Sequence, residues 1–320
     1  MPGFQWVCRR LSDDHVRVLM YHRFAPGEGN VDRLGAKHFA KQLAYMAKYH
    51  RFWSADQHID SYTAGRKVTG SPVVLTIDDG YKDFEEIVLP LLSDYEVNPI
   101  LFVVPDFVSG SFWFWWDKLR HIFDETSHGR CDFQLYEKPY KYSLDNSSDR
   151  YDAWNEITVD LAQLTPEQTA LAVERLAELL DVQVPLQPPQ DYSAISWEQL
   201  ERMAANNVTV GAHTCTHPAL SRISREQAAA EIEMSREAIK ARIGQCSDMF
   251  CYPYGQAEDY TPETIGIVEQ LGFSGAYVAF EGNGEELGPF ERPRYAVHED
   301  WVEFRWKLCG AQAVVQKYLS

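Results

Sequence analysis

Apolar runs without alternation punctuate the chain: "VRVLMY" from Val16, "PVVLTI" from Pro72, "NPILFVV" from Asn98, "VTVGAH" from Val208, "MFCYPYG" from Met249 and "FSGAYVA" from Phe273. Runs of this length and character predict strands buried on both faces. A weak strand is expected near Arg51–Ser54 and a last one near Arg294–Val297. Between them lie helical patterns. Residues 38–49 place Phe39, Leu43 and Met46 on one face, and 83–95, 225–243 and 262–271 also read as helices. Ser196 with Gln199 three residues on has the spacing of a capping box and predicts a helix over 196–207. Strand and helix alternating in this way imply an α/β fold, a parallel sheet covered by helices that closes into a barrel.

The rhythm breaks at about residues 106–192, which predicts one domain over 1–320 carrying a single large insertion. That segment holds the aromatic cluster Phe112, Trp113, Phe114, Trp115 and Trp116, which suits either a sugar-stacking platform or plain packing. A helical run is expected over 166–181, and no internal repeat is present.

Charge narrows the partners. With 47 acidic against 30 basic residues, a net charge of −17 argues against a nucleic-acid partner, which needs clustered Lys and Arg. Six cysteines without a CxxC pair suit reduced thiols. The first residues carry no apolar run ahead of their charges, and no window reaches the length of a transmembrane segment, so a cytoplasmic protein is the expectation.

One stretch resists explanation by packing alone. In "VVLTIDDGYKDF" a buried strand runs into Asp78 and Asp79, two like charges that repel and are costly to desolvate without a cation or a proton. A solvated turn closed by Gly80 is the bland account. A partner appears after another strand, in "HTCTH", where His213 and His217 stand at i and i+4; on a helical turn both rings would reach one point. In a barrel, the ends of parallel strands meet at one mouth. A divalent metal held by His213, His217 and one of the carboxylates leaves the other free to accept a proton. The same ligand types serve non-haem iron oxygenases, so they do not name the chemistry by themselves.

These motifs together carry a resemblance. "LTIDDGY" is similar to the T-F-D-D-G motif of the polysaccharide deacetylases (carbohydrate esterase family 4, the NodB homology domain), with Ile77 in place of Phe. "HTCTH" matches their H-[ST]-x-x-H motif and "YPYG" resembles their R-x-P-Y motif. The resemblance implies a distorted (β/α) barrel of about seven parallel strands. The activity it implies is metal-dependent removal of N-acetyl groups from sugars, usually with zinc. It assigns Asp78 as general base, Asp79, His213 and His217 as metal ligands, and the Tyr254 backbone N–H as oxyanion donor. The substrate it implies is an N-acetylated carbohydrate or glycolipid, and cobalt or nickel also suits the ligand set.

The match departs in two places. The family has an arginine where this chain has Cys251; Arg294, in "RPRYAV", is the candidate to orient Asp78, with a surface arginine as its alternative. The family's last motif, L-x-H, which supplies the general acid, has no clean copy. His22, directly after the first strand in "LMYHRF", is preferred over His298 because a strand-end histidine sits at the same mouth. "YHRF" and the form "FCYPYG" resemble the deacetylases of exopolysaccharide and lipid-linked glycan pathways. Two other readings stay open: a related amidohydrolase acting on a small cyclic amide, and a silent carbohydrate-binding barrel.

Overall fold

The computed structural model describes residues 2–30, 32–135, 138–281 and 287–319. The chain divides into two compact units, Met1–Ser109 with Ala194–Ser320, and Gly110–Ser193. The first unit opens with α1 (Pro2–Leu11), β1 (Arg17–Tyr21), β2 (Phe24–Ala25), β3 (Leu34–Gly35), α2 (Ala36–Tyr49), β4 (Arg51–Phe52), α3 (Ala55–Thr63), β5 (Pro72–Ile77), α4 (Leu89–Leu92), β6 (Ile100–Val103) and α5 (Pro105–Val108). The second unit contains α6 (Trp115–Glu125), β7 (Arg130–Leu135), β8 (Lys138–Ser143), α7 (Ser147–Leu161) and α8 (Pro166–Leu179). The first unit resumes with α9 (Trp197–Ala204), β9 (Thr209–Ala212), α10 (Arg225–Ile243), β10 (Met249–Cys251), α11 (Pro262–Gln270), β11 (Gly275–Tyr277), β12 (Tyr295–Ala296), α12 (Trp301–Cys309) and α13 (Ala311–Leu319).

The main sheet runs β11-β10-β9-β6-β5-β1-β12, every pairing parallel. The seven strands of this path curl through 245° about one axis, a half-barrel consistent with the distorted (β/α) barrel that the resemblance implied, and β4 pairs with β5 off the path. Register shows how the curl is built: β4 pairs with the start of β5 (Phe52↔Val73), and β6 with its end (Ile77↔Leu101).

Alternation along each strand sorts side chains to two faces. Val73, Leu75 and Ile77 of β5 join Leu101, Val103, Val210 and Phe250 in the core beneath the helices. Val74 joins Val18, Phe102, Met249, Cys251 and Tyr277 on the concave face. That parity matters for chemistry, because Thr76 and Asp78 continue the concave face.

Two expected elements come out shorter. The helix expected over 83–95 is a π-helical turn at Phe84–Val88 followed by α4. Pro90 lacks the N–H that would close an α-helical bond to Glu86, and Leu89 N bonds back to Phe84 O instead. The strand expected over 249–255 stops at Cys251, and Tyr252–Gly255 form a turn. The capping box at Ser196 forms as expected, with Gln199 N donating to Ser196 Oγ at 3.3 Å and Ser196 N to Gln199 Oε1 at 2.7 Å.

The second unit has its own core of Leu119, Ile122, Phe123, Ile157, Leu161 and Leu176. Within the aromatic cluster Trp113 and Phe114 are buried, and Phe114 stacks on Trp116 at 4.4 Å, which assigns those rings to packing.

Candidate active site

All strands of the main sheet point the same way, so the residues after them share one rim: His22 after β1, Asp78 and Asp79 after β5, His213 after β9, and Tyr254 just beyond β10. Period 2 sends Asp78 to the concave face with Val74 and Thr76. It would send Asp79 to the opposite face. A tight turn prevents this: Asp79 has φ 75° and Gly80 N donates back to Asp78 O at 3.0 Å, a γ-turn centred on the second carboxylate. Gly80 follows at φ 91°, where a Cβ would also press on Val103.

The same device recurs after β10. Tyr254 has φ 58°, and Gly255 N donates to Pro253 O at 2.6 Å. Thr214 (φ 63°) and His217 (φ 60°) are also left-handed. A non-glycine residue in this region is unfavourable by about 1–3 kcal/mol, so the fold concentrates strain at one rim.

His213 and His217 do converge, but not for the expected reason. "HTCTH" is an irregular loop rather than a helical turn, because two left-handed residues interrupt any helix. The loop is held by Glu231 on α10, whose carboxylate accepts from Cys215 N at 2.7 Å, Thr216 N at 2.9 Å and Thr216 Oγ1 at 2.7 Å. Sequence reasoning missed Glu231, which nothing in the sequence of α10 distinguishes from its neighbour Glu233.

His213 Nε2 lies 3.2 Å from His217 Nε2 and 3.7 Å from Asp79 Oδ1, and His217 Nε2 lies 3.5 Å from the same oxygen. Corners of a tetrahedron with ligand bonds of about 2.0–2.1 Å are about 3.3 Å apart, so this set fits a tetrahedral cation. Protonation agrees. Burial lowers the His213 pKa to about 4, against the pull of Asp78, and burial followed by the His213 neighbour lowers that of His217 well below its ordinary value. His213 Nδ1 meets the Cys251 carbonyl at 2.8 Å, so Nδ1 carries the proton and Nε2 presents its lone pair.

Asp78, 1% exposed, is clamped by Arg294 through two bonds of 2.8 Å, Nη1 to Oδ1 and Nη2 to Oδ2. Burial alone would raise its pKa; the Arg294 charge overrides this and holds the carboxyl well below the usual range. Arg294 itself is 1% exposed, which excludes the surface-arginine alternative. It lies before β12 rather than at a strand end. Its Nε donates to Val278 O and its Nη1 to Thr76 Oγ1, both at 3.0 Å. Cys251, where the arginine was missing, puts its thiol 3.6 Å from Asp78 Oδ2.

His22 Nε2 is 3.8 Å from Asp78 Oδ2, too long for a hydrogen bond. Its side chain is 46% exposed, so it is no buried core histidine. Crowding by the surrounding walls lowers its pKa and the Asp78 charge opposes this. Beside it opens a cavity of ≈ 540 Å³ lined by Arg23, Asp32, Leu34, Val297 and His298, a size typical of ligand sites. Tyr254 stacks edge-on against His217, ring centres 4.9 Å apart.

Comparison with known proteins adds family and fold. The family model described as polysaccharide deacetylase matches residues 65–276, a span that contains Asp78, Asp79, His213, His217 and Tyr254 but neither His22 nor Arg294. No curated protein matches the chain. Among solved structures, the Streptococcus pyogenes deacetylase PplD in complex with acetate is similar at 15% identity, over 89% of this chain and 93% of that one, with a TM-score of 0.59. IcaB from Ammonifex degensii is similar at 20% identity over 93% and 98%, TM-score 0.58. The BpsB deacetylase domain from Bordetella bronchiseptica is similar at 17% identity over 88% and 95%, TM-score 0.55. At these identities the likeness is one of fold.

Proposed function

The chain belongs to the polysaccharide deacetylase family, and from that membership we propose that it hydrolyses the N-acetyl group of an amino sugar in a polysaccharide or glycolipid, yielding a free amine and acetate. The observation that carries this reading is the clamped, ionised Asp78 beside the converging atoms of Asp79, His213 and His217.

Asp79, His213 and His217 would hold one divalent cation, and two imidazoles with a carboxylate at tetrahedral spacing favour zinc. When bound, such an ion polarises the acyl oxygen and lets water act as a nucleophile near neutral pH. Asp78 accepts the proton of the attacking water. Arg294 keeps it ionised and fixes the direction of its lone pairs, the role that the family's missing arginine would play. The Tyr254 backbone N–H donates to the oxygen on which charge collects, an interaction that can contribute about 3–4 kcal/mol. His22, on the open side of Asp78, gives a proton to the departing amine so that the C–N bond breaks without an anionic leaving group. The cavity beside His22 would receive the sugar.

All six cysteines are unpaired, which supports a reducing compartment, the cytoplasm. No helix among the described residues is long and apolar enough to cross a membrane.

Acetate release from a panel of N-acetylhexosamine substrates, before and after chelation and zinc readdition, tests the proposal. Release that chelator abolishes and zinc restores is expected. Turnover of small cyclic amides with no acetate release would overturn it.

A further inference from the structure

The surface formed by α1, α2 and α12 is composed unlike the rest of the chain. Neither α1 (PGFQWVCRRL) nor α2 (AKHFAKQLAYMAKY) contains an acidic residue, although the protein has 47. Between them they carry Arg9, Arg10, Lys37, Lys41 and Lys48.

Aromatic and apolar side chains interleave with these cations. On α1, Phe4 (48%), Trp6 (58%), Val7 (44%) and Leu11 (42%) are exposed, and on α12 Val302 (76%) and Trp306 (47%). The patch is continuous: Phe4 stacks on Trp306 at 5.9 Å, and Val302 is one helical turn before Trp306. Cations lie over rings throughout, Arg9 on Tyr49 at 4.4 Å, Arg10 on Trp6 at 5.7 Å and Lys41 on Trp301 at 4.1 Å.

The carboxylates nearby are largely engaged. Glu28 pairs with Lys37, Glu299 lies by His38, Asp300 caps α12 and Glu303 bonds to Lys307. Asp13 and Asp14 follow the end of α1.

We propose that this face docks on an anionic lipid surface. Exposed tryptophan and phenylalanine beside arginine and lysine are the side chains that settle at a headgroup boundary, where rings sit in the interface and cations meet lipid phosphates. Charge complementarity selects the anionic surface over a neutral one. With a net charge of −17 the molecule as a whole repels such a surface, which favours approach through a face whose α1 and α2 carry no acidic residue. Docking also has a place for chemistry: α2 begins just after Leu34 and α12 just after Asp300, and both residues line the cavity beside His22. The inference does not depend on the deacetylase reading.

Cosedimentation of the full chain with substrate-free vesicles tests it, using phosphatidylcholine alone and phosphatidylcholine mixed with phosphatidylglycerol. The protein is expected to sediment with the mixed vesicles and to be released by added salt. Arg10→Gln or Lys48→Gln, each removing one positive charge, weakens binding by about fivefold. Trp6→Ser weakens it as well, whereas Lys240→Glu, on α10, leaves it unchanged. Equal binding to neutral vesicles, or none to either, overturns the proposal. So does a concentration-dependent dimer that Trp6→Ser abolishes, which would make the face a contact between copies of the chain.

Discussion

Arg294 and Asp78, 216 residues apart in sequence, meet through two bonds of 2.8 Å with each side chain almost wholly removed from solvent. Fork-to-fork geometry fixes both distance and direction, which a lysine cannot do. Arg294→Lys should therefore keep the charge, fold and metal content and lose about tenfold to a hundredfold in kcat. Arg294→Met should instead leave a buried carboxylate unpaired, a cost of about 3–5 kcal/mol read by urea unfolding. Full activity in the lysine variant would reduce Arg294 to a structural counter-ion.

The two adjacent carboxylates are assigned different work, so they and their partners should separate by phenotype. Asp78→Asn should abolish turnover while the chain still holds one metal ion; His217→Ala should lose both. Metal content by mass spectrometry beside acetate release makes the distinction. Equal metal loss in the two variants would contradict the roles.

Much of this site was legible because it depends on local pattern. Apolar runs marked the strands, and polar residues directly after them marked the rim, so Asp78, Asp79, His213 and His217 could be named before any fold was in view. What escaped depends on closure and on backbone sign. Arg294 was a candidate only by elimination, since its contact with Asp78 exists only once β12 pairs with β1. Asp79 belongs by alternation to the helix-covered face, and only its positive φ turns it inward. "HTCTH" was expected as a helical turn, because i, i+4 spacing is the common way to bring two rings together, yet a strained loop tied to Glu231 achieves the same end. Helices α1, α3, α6, α7, α12 and α13 were missed; in α1, α7 and α12 apolar periodicity is interrupted by charge or by exposed aromatics.

Acid should destabilise the protein through histidines away from the site. His50 and His58 are each lowered to about 3, by burial first and then by Arg17 and Arg292 respectively. Between about pH 6.5 and about pH 3 the unfolded chain binds a proton at each that the folded chain refuses, so stability falls as pH falls through that window. Each contributes up to about 1.4 kcal/mol per pH unit. His50→Gln retains a donor for the Ser71 carbonyl, which His50 Nδ1 now meets at 2.9 Å. Urea unfolding across the window should show a shallower acid limb in this variant; an unchanged slope would mean that His50 does not titrate on unfolding.

Glu231 should control metal affinity without touching the metal. Its carboxylate accepts three hydrogen bonds from Cys215 and Thr216, between the two histidines that face Asp79. His217 is left-handed at φ 60°, a conformation that persists only while its surroundings over-determine it. Glu231→Leu keeps much of the size but removes the Oε2 that Cys215 N and Thr216 N share and the Oε1 that takes the Thr216 hydroxyl, so the loop should relax toward ordinary backbone and separate the two imidazoles. Loss of such outer support typically weakens metal binding by about 10–100-fold. The expected signature is a raised zinc dissociation constant, with kcat at saturating zinc much less affected than in Asp78→Asn. Unchanged zinc affinity would show that the strained loop is held by the fold around it, and that Glu231 merely satisfies its amides.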